Sequence, residues 1–329
     1  MLAKILNLSV STVSKALRDS YDIGTETKEK VLALAKDLNY QPNPHASSLR
    51  KNKSKTIAVI LPEISNNYFG LAMNGIESVA EEKGYHVLIY LTHEDYKKEV
   101  MYARHLANGR VDGVLVSVSS TTCDISHLRE LKEKDIPIVF FDRVCEDVDT
   151  VKVTTNDYES GLTATRHLIE QGCTKIGHLA ISNHISIGNK RMLGYRQALL
   201  DHNISCNKSL IVNCTNDDKK DFESIKTLLR TQKCDGVFAA VERYAILTYE
   251  VCRELQLSIP KDVKVISFSN LQTASLLNPS MTTITQPAFE IGKTAASMLF
   301  KALDKKSFVL TDETIVLQSA LIKRASTSF

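Results

Sequence analysis

Short hydroxyls and cations recur along one side of SVSTVSKALR, residues 9–18. Wound as a helix, Ser11, Ser14, Lys15 and Arg18 fall at i, i+3, i+4 and i+7, while Val13, Ala16 and Leu17 gather on the opposite face. A helix that merely meets water usually mixes Glu with Lys. A stripe of Ser, Lys and Arg instead offers small donors to phosphate oxygens and base edges. The surrounding elements give this face a frame. Ser9 is placed to cap the helix. Before it, residues 2–6 are helix formers and Asn7 breaks them. After it, 19–24 reads as a loop and 25–38 as a third helix, with Val31, Leu34, Ala35 and Leu38 turned inward. Three short helices can close a small core, so residues 1–42 are expected to form an all-α helix-turn-helix domain that binds double-stranded DNA.

The charge distribution agrees. Residues 1–55 carry ten Lys and Arg against five Asp and Glu, and the rest carry 31 against 33. The net charge of +3 therefore conceals a basic unit on a near-neutral body, the footprint of phosphate contact. A length of 329 residues suits two or three compact units. No apolar run reaches the roughly 20 residues of a membrane span, and polar residues interrupt MLAKILNLSVS too soon for a secretory segment, so a cytoplasmic protein is expected. Seven cysteines, odd in number and never in C-x-x-C, read as reduced packing residues. The nine histidines show no short metal-ligand spacing, and G-x-S-x-G, G-x-x-x-x-G-K-S/T, H-E-x-x-H and G-x-G-x-x-G are all absent. No catalysis, metal or cofactor is expected.

From Thr56 onward apolar runs alternate with amphipathic helices. Residues 56–62, 85–91, 112–118, 136–142, 175–181, 235–241 and 263–269 read as buried parallel strands. Helices are expected at 67–83 and 96–107, the first with Met73, Ile76, Val79 and Ala80 inward. The alternation implies doubly wound α/β sheets, with chain enough for two. Ligands of such sheets bind beyond the carboxyl ends of the strands. Position alone therefore singles out the residues just after Leu61, Phe141, Ile181, Val241 and Phe268.

Four blocks in order resemble the lactose-repressor (LacI/GalR) family. Its V-S-x-x-T-V-S-R-x-L-N is matched by L-S-V-S-T-V-S-K-A-L-R at 8–18, T-R-E-K-V by T-K-E-K-V-L at 27–32, L-x-Y-x-P-N by L-N-Y-Q-P-N at 38–43, and the hinge A-x-x-L by A-S-S-L-R at 46–50. The resemblance implies that the helix at 9–17 lies in the major groove, with Val10, Ser11 and Lys15 toward bases and Ser9, Thr12 and Ser14 near phosphates. It also implies a hinge helix and linker over 43–55. Asn43 can cap that helix and Pro44 fits its first turn, but so short a helix is unstable alone. On DNA, Leu49 would wedge into the minor groove beside Ala46 and Arg50. The family's opening T-x-x-D-V-A-K has no counterpart before Leu2, and a first helix short of its cap and a turn would weaken the reader by about 1 kcal/mol.

Over 56–329 the resemblance implies a two-lobed, periplasmic-binding-protein-like effector and dimerisation domain. One lobe takes 56–154 with 286–310, the other 155–285 with 311–329. Tyr68 and Phe69 in I-S-N-N-Y-F would stack on an effector ring, Asp142 and Arg143 in F-F-D-R would line the cleft, and Arg191 in K-R-x-x-G-Y-R would clamp the effector. The sequence departs from the family at two places, with Val241-Glu242 in place of N-D and Ser269 in place of an acid. A less anionic site follows, and with it a lean toward an effector carrying its own negative charge. The implied activity is transcriptional repression, by a homodimer on a near-palindromic operator, controlled by a sugar or sugar derivative. A periplasmic binding protein would look like 56–329 alone. The basic N-terminal reader separates the two readings.

Overall fold

Asn7 takes a φ of 51°, a left-handed backbone that Asn tolerates better than most residues. The chain thereby turns from α1 (Leu2–Ile5) into α2 (Val10–Ala16), and α3 (Thr25–Asp37) completes the N-terminal unit. The computed structural model describes residues 2–38, 40, 54–64, 67–181, 185–215, 217–304 and 308–328. The predicted hinge residues Asn43, Ala46, Leu49 and Arg50 lie outside these. Two units separate at Ser54/Lys55. In the first, Leu2, Val13, Ala16, Val31 and Ala35 form the buried core. Leu38, expected to join them, caps the end of α3 and is 38% exposed. The last helical turn finishes before its side chain can reach the core.

In the second unit, runs apolar at every position can satisfy their backbone only inside a sheet covered on both faces. β1 (Thr56–Leu61) does so between β2 and β3 of a parallel sheet. The other strands of that sheet are β2 (His86–Leu91), β3 (Gly113–Val116), β4 (Ile138–Phe141), β5 (Lys152–Thr155) and β11 (Thr314–Leu317), in the order β11-β5-β4-β3-β1-β2. Helices α4 (Asn67–Glu82) and α11 (Ala288–Asp304) supply the core on one face. Helices α5 (Tyr96–Leu106) and α6 (Ser126–Glu133) supply it on the other.

The second sheet has the order β12-β10-β9-β8-β6-β7. Its strands are β6 (Ile176–Ala180), β7 (Ile211–Asn213), β8 (Gly236–Ala239), β9 (Lys264–Phe268), β10 (Thr282–Thr285) and β12 (Ala320–Ile322), with β12 antiparallel to β10. Around it pack α7 (Asp157–Glu170), α8 (Ser186–Asp201), α9 (Asp218–Thr227) and α10 (Glu242–Glu254). The chain crosses between sheets after β5, after β10 and after β11. The last crossing corrects the expected lobe boundary at 311. Residues 314–317 extend the first sheet in parallel register with β5, because the outer edge of β5 needs a partner, and the chain changes lobe only at 318–319. The three crossings are tied together. Gln286 Nε2 donates to Thr155 Oγ1 (3.1 Å), Asn156 Nδ2 to Gln318 Oε1 (2.7 Å) and Ser319 N to Asn156 Oδ1 (2.8 Å).

Each lobe contains one helix pair in backbone contact. A Cβ on Gly292 of α11 would sit 1.9 Å from the Ala72 carbonyl of α4, and one on Gly194 of α8 would sit 2.2 Å from the Tyr158 carbonyl of α7. Backbone cannot yield as a side-chain tip can. Gly292→Ala is therefore expected to lower stability by about 2 kcal/mol or more. Gly70→Ala, also on α4 but facing open space, should be neutral or stabilise by up to about 1 kcal/mol. Urea midpoints of the two variants check this, and equal midpoints would contradict it.

Candidate DNA-reading helix and ligand cleft

On α2, Ser9 caps the helix with its Oγ accepting from Thr12 N at 3.0 Å. The same oxygen lies 2.8 Å from Thr12 Oγ1, so both hydroxyls are partly committed to the helix end. Val10 is 77% exposed, an apolar side chain in water at the start of the helix and suited to a thymine methyl. Ser11 is exposed. Lys15 reaches Asp22 across the following loop, and Ser14 accepts from Arg18 Nη2 at 2.9 Å. Both are surface contacts that exchange readily for groups on DNA. Sequence reasoning missed Tyr21, which is 98% exposed in the loop after α2. An aromatic residue inside a basic unit was its only signal.

In the second unit all eight predicted effector residues, Tyr68, Phe69, Asp142, Arg143, Arg191, Val241, Glu242 and Ser269, line one cleft between the lobes. The carboxyl ends of β1, β4, β8 and β9 deliver most of them. Arg191 comes instead from α8, and it is the most strongly held. Its side chain is 2% exposed, Nε donates to Asp157 Oδ1 (2.7 Å), Nη1 donates to the Ala240 carbonyl (2.6 Å), and the guanidinium lies 3.7 Å over the Phe268 ring. Arg143 Nη1 donates to Glu94 Oε1 (2.7 Å). Burial opposes ionisation of Glu94, yet Arg143 and the Ser120 N–H together hold its carboxyl below the usual range.

These pairs correct the expected charge balance. Each arginine already has a carboxylate, so neither is an unspent positive charge awaiting an anionic effector. The acid missing at Ser269 is also restored from another element. Glu242 Oε2 accepts from Ser269 Oγ (2.7 Å) and Asn270 N (3.2 Å). Asp157 and Glu94 escaped the sequence reading, because their places depend on how helices and loops pack, whereas Asn270 and Gln286, also in the lining, follow the ends of β9 and β10. Tyr68 and Phe69 belong to the core as well as the cleft, 6% and 2% exposed, with rings edge-on at 5.4 Å.

The inner cavity bounded by these residues measures about 30 Å³, room for a water but not for a sugar ring. Beyond Arg143 and Val241 it meets an outer chamber of about 540 Å³, lined also by Glu63, His93, Thr121 and Arg243. The cleft is therefore narrow at its inner end and wide beyond Arg143 and Val241.

Asp142 occupies left-handed backbone, φ 62°, which turns its carboxyl into the cleft. Burial pushes that carboxyl up to about 6, against the pull of Arg143 and Arg191 and with some help from Asp157. A carboxyl whose folded pKa is raised binds its proton more tightly in the native state, so stability is full below pH 3.8 and is lost as pH rises through about 6. The shift is worth up to about 3 kcal/mol. Asp142→Asn should therefore raise the melting temperature at pH 7.5 and lose that advantage at pH 3.5. Melting curves at the two pH values decide it, and an equal gain at both would contradict the assignment.

Comparison with known proteins follows the same division. The model described as "Bacterial regulatory proteins, lacI family" matches residues 2–43, and the "Periplasmic binding protein-like domain" matches 165–327. The HTH-type transcriptional regulator RegA of Clostridium saccharobutylicum is 31% identical over 328 residues, 99% of this chain and 98% of RegA. A transcriptional regulator CelR–cellobiose complex is 25% identical with a TM-score of 0.75, covering 99% of this chain and 98% of CelR. The Lac repressor dimer bound to operator and the anti-inducer ONPF shares the fold, with a TM-score of 0.85 over 99% of this chain and 97% of the repressor at 21% identity. With a basic three-helix reader and a two-sheet cleft domain on one chain, this protein belongs to the lacI family of bacterial transcriptional regulators, whose helix-turn-helix unit binds DNA.

Proposed function

We propose that the protein is a repressor that acts as a two-fold homodimer on a near-palindromic operator, its affinity set by a neutral, polyhydroxylated effector of carbohydrate type in the cleft. The carrying observation is Arg143. Its Nε is buried with no hydrogen-bond partner, 3.9 Å from Asp142, while its guanidinium stands 5.9 Å from the Phe69 ring. An orphaned buried donor costs about 1–3 kcal/mol, and a ligand oxygen would remove that cost. Carboxylates, an arginine fork and aromatic rings around it suit sugar hydroxyls and ring faces, and CelR, with cellobiose bound, is consistent with this. The paired arginines favour a neutral ligand over a uronate or phosphate.

The homodimer is supported by an unusual edge. β2 exposes Leu88 and Ile89 at 40% and 44%, beside a groove of about 750 Å³ between it and α4. An apolar open strand edge invites pairing. No described helix is long and apolar enough to cross a membrane, and a protein that reads DNA acts where the DNA is, which for this chain we take to be the cytoplasm.

Selection from randomised DNA should return two inverted half-sites. Ser11→Ala and Lys15→Ala should change the preferred bases, each lost contact being worth about 1–3 kcal/mol of discrimination. Lys53→Ala, in the basic run after the reader, should weaken all sequences alike and flatten the salt dependence. Equal, sequence-blind losses for all three variants would refute the assigned reading face.

A thermal-shift screen of carbohydrates should find a ligand that raises the sensor midpoint by mass action. If no sugar does so, the effector class is wrong. Arg191→Ala should cost about 3–5 kcal/mol because it leaves Asp157 buried and unpaired. Arg191→Lys keeps the charge but loses the fork, and is therefore the variant expected to remain folded yet lose the ligand-induced change in operator affinity. Gel-shift titrations with and without the sugar measure that change, and a full response from Arg191→Lys would place the ligand elsewhere.

A further inference from the structure

Glu242 is fixed from one side and used from the other. Its Oε2 is held inside its own lobe by Ser269 and Asn270, which sets the carboxylate orientation. Its Oε1 accepts from Asn67 Nδ2 at 2.9 Å, and Asn67 is the first residue of α4 in the opposite lobe. Only the amide nitrogen of Asn67 can face a carboxylate, since the amide oxygen has no proton to give. Away from the crossing segments, the other polar contacts between the lobes among the described residues are longer. Val144 N lies 3.4 Å from Ser186 Oγ, and Lys190 Nζ lies 3.6 Å from Glu146, with both of the latter side chains partly in water.

The Asn67–Glu242 bond stands at the wall of the 30 Å³ inner cavity, which Glu242 lines together with Tyr68 and Phe69, the two residues after Asn67. A ring-sized ligand cannot enter that space unless the lobes part. Parting them breaks the bond.

We propose that Glu242 Oε1 is a shared acceptor: the Asn67 bond to it holds the two lobes in the arrangement seen here, and a hydroxyl or amino hydrogen of the effector takes it over on binding. The latch is exchanged rather than lost. Two consequences follow. Asn67 competes with the effector, so removing its amide raises effector affinity. The effector must also bring a donor to this position, so an analogue lacking that hydroxyl leaves Glu242 with an unmet acceptor and binds poorly. The second consequence rests on the effector reading above. The first part, closure by the latch, does not.

The protein carries a means of measuring closure. Cys123 and Cys206 are exposed, one in each lobe, whereas Cys145 and Cys214 are half-buried, and Cys173, Cys234 and Cys252 are buried. Burial pushes the Cys145 thiol up to about 12 and raises Cys214 further, which keeps both unreactive toward thiol reagents. Nitroxides on Cys123 and Cys206 of the full-length protein, diluted with unlabelled chain, report the lobe-to-lobe distance by pulsed electron resonance without any ligand. Wild type should give one narrow short distance. Asn67→Ala removes the donor, and Asn67→Asp keeps the shape and suits a helix start but sets a second carboxylate against Glu242. Both should move most of the population to longer distances, Asn67→Asp further. Distributions unchanged in both variants overturn the latch. Calorimetry with cellobiose and with D-ribose then tests the exchange. Whichever binds wild type should bind Asn67→Ala about tenfold more tightly, and equal or weaker binding overturns the exchange. If neither these sugars nor any other in the carbohydrate screen binds while the distances shift, the latch stands and the carbohydrate reading fails.

Discussion

Arg191 and Asp157 are two charges that cannot leave one another. Both are almost fully buried, and either alone would be an unpaired ion in a medium that solvates ions poorly. Asp157 opens α7 directly after the first crossing between lobes, and Arg191 lies on α8, so the pair staples a crossing segment to the wall of the cleft. The Ala240 carbonyl and the Phe268 ring then fix the guanidinium plane at the carboxyl ends of β8 and β9. Nε and Nη1 are thereby committed, and Nη2 is the nitrogen through which the fork would meet a ligand. A buried pair of this kind is weak support for stability, but it is strong at holding a direction.

The pair can form only because α7 and α8 touch backbone to backbone. Cβ atoms on Gly161 and Gly194 would lie 2.6 Å from the Arg191 carbonyl and 2.2 Å from the Tyr158 carbonyl. Any side chain at either place would push α8 outward and take Arg191 away from Asp157. Gly75 and Gly292 bring α4 and α11 together in the same way in the other lobe, and α4 carries Asn67, Tyr68 and Phe69 at its start. Each lobe therefore uses a glycine contact, distant from any ligand, to set the position of the helix that presents cleft residues. Close packing transmits such constraints because the interior has little room to yield.

Much of this was legible beforehand, and the limits are instructive. The seven long apolar strand runs, the helices at 67 and 96 and the capped helix at Ser9 are local patterns, decided by periodicities of two or 3.6 residues. The strands at 152–155, 211–213, 282–285, 314–317 and 320–322 were not singled out. Each is only three or four residues long, and strand character in so short a run comes from the neighbour it pairs with. The misplaced boundary at 311 has the same origin, since only β5 makes a strand of 314–317. In the cleft, Asp142, Arg143, Glu242 and Ser269 could be read from strand ends. Asp157 and Glu94 could not, because their roles arise where elements far apart in sequence meet. Without them the cleft reads as less anionic than its packed charges make it.

The reader and the sensor also differ in how firmly they hold their functional groups. In the sensor, Arg191, Asp157 and Asp142 are buried, and a change of partner there means desolvating or resolvating an ion. In the reader, Lys15 with Asp22, Lys28 with Asp19 and Lys30 with Glu26 are pairs with at least one partner well exposed to water. Salt screens them, and they contribute little to stability. Their value is that they are easily exchanged: a group on DNA can replace Asp22 beside Lys15 at little cost. Among the described residues the reader's fully buried core is small, with Ala16 and Ala35 among its members. An easily exchanged surface on a small core suits a unit that must sample many DNA sequences, whereas the buried pairs hold the cleft in one geometry.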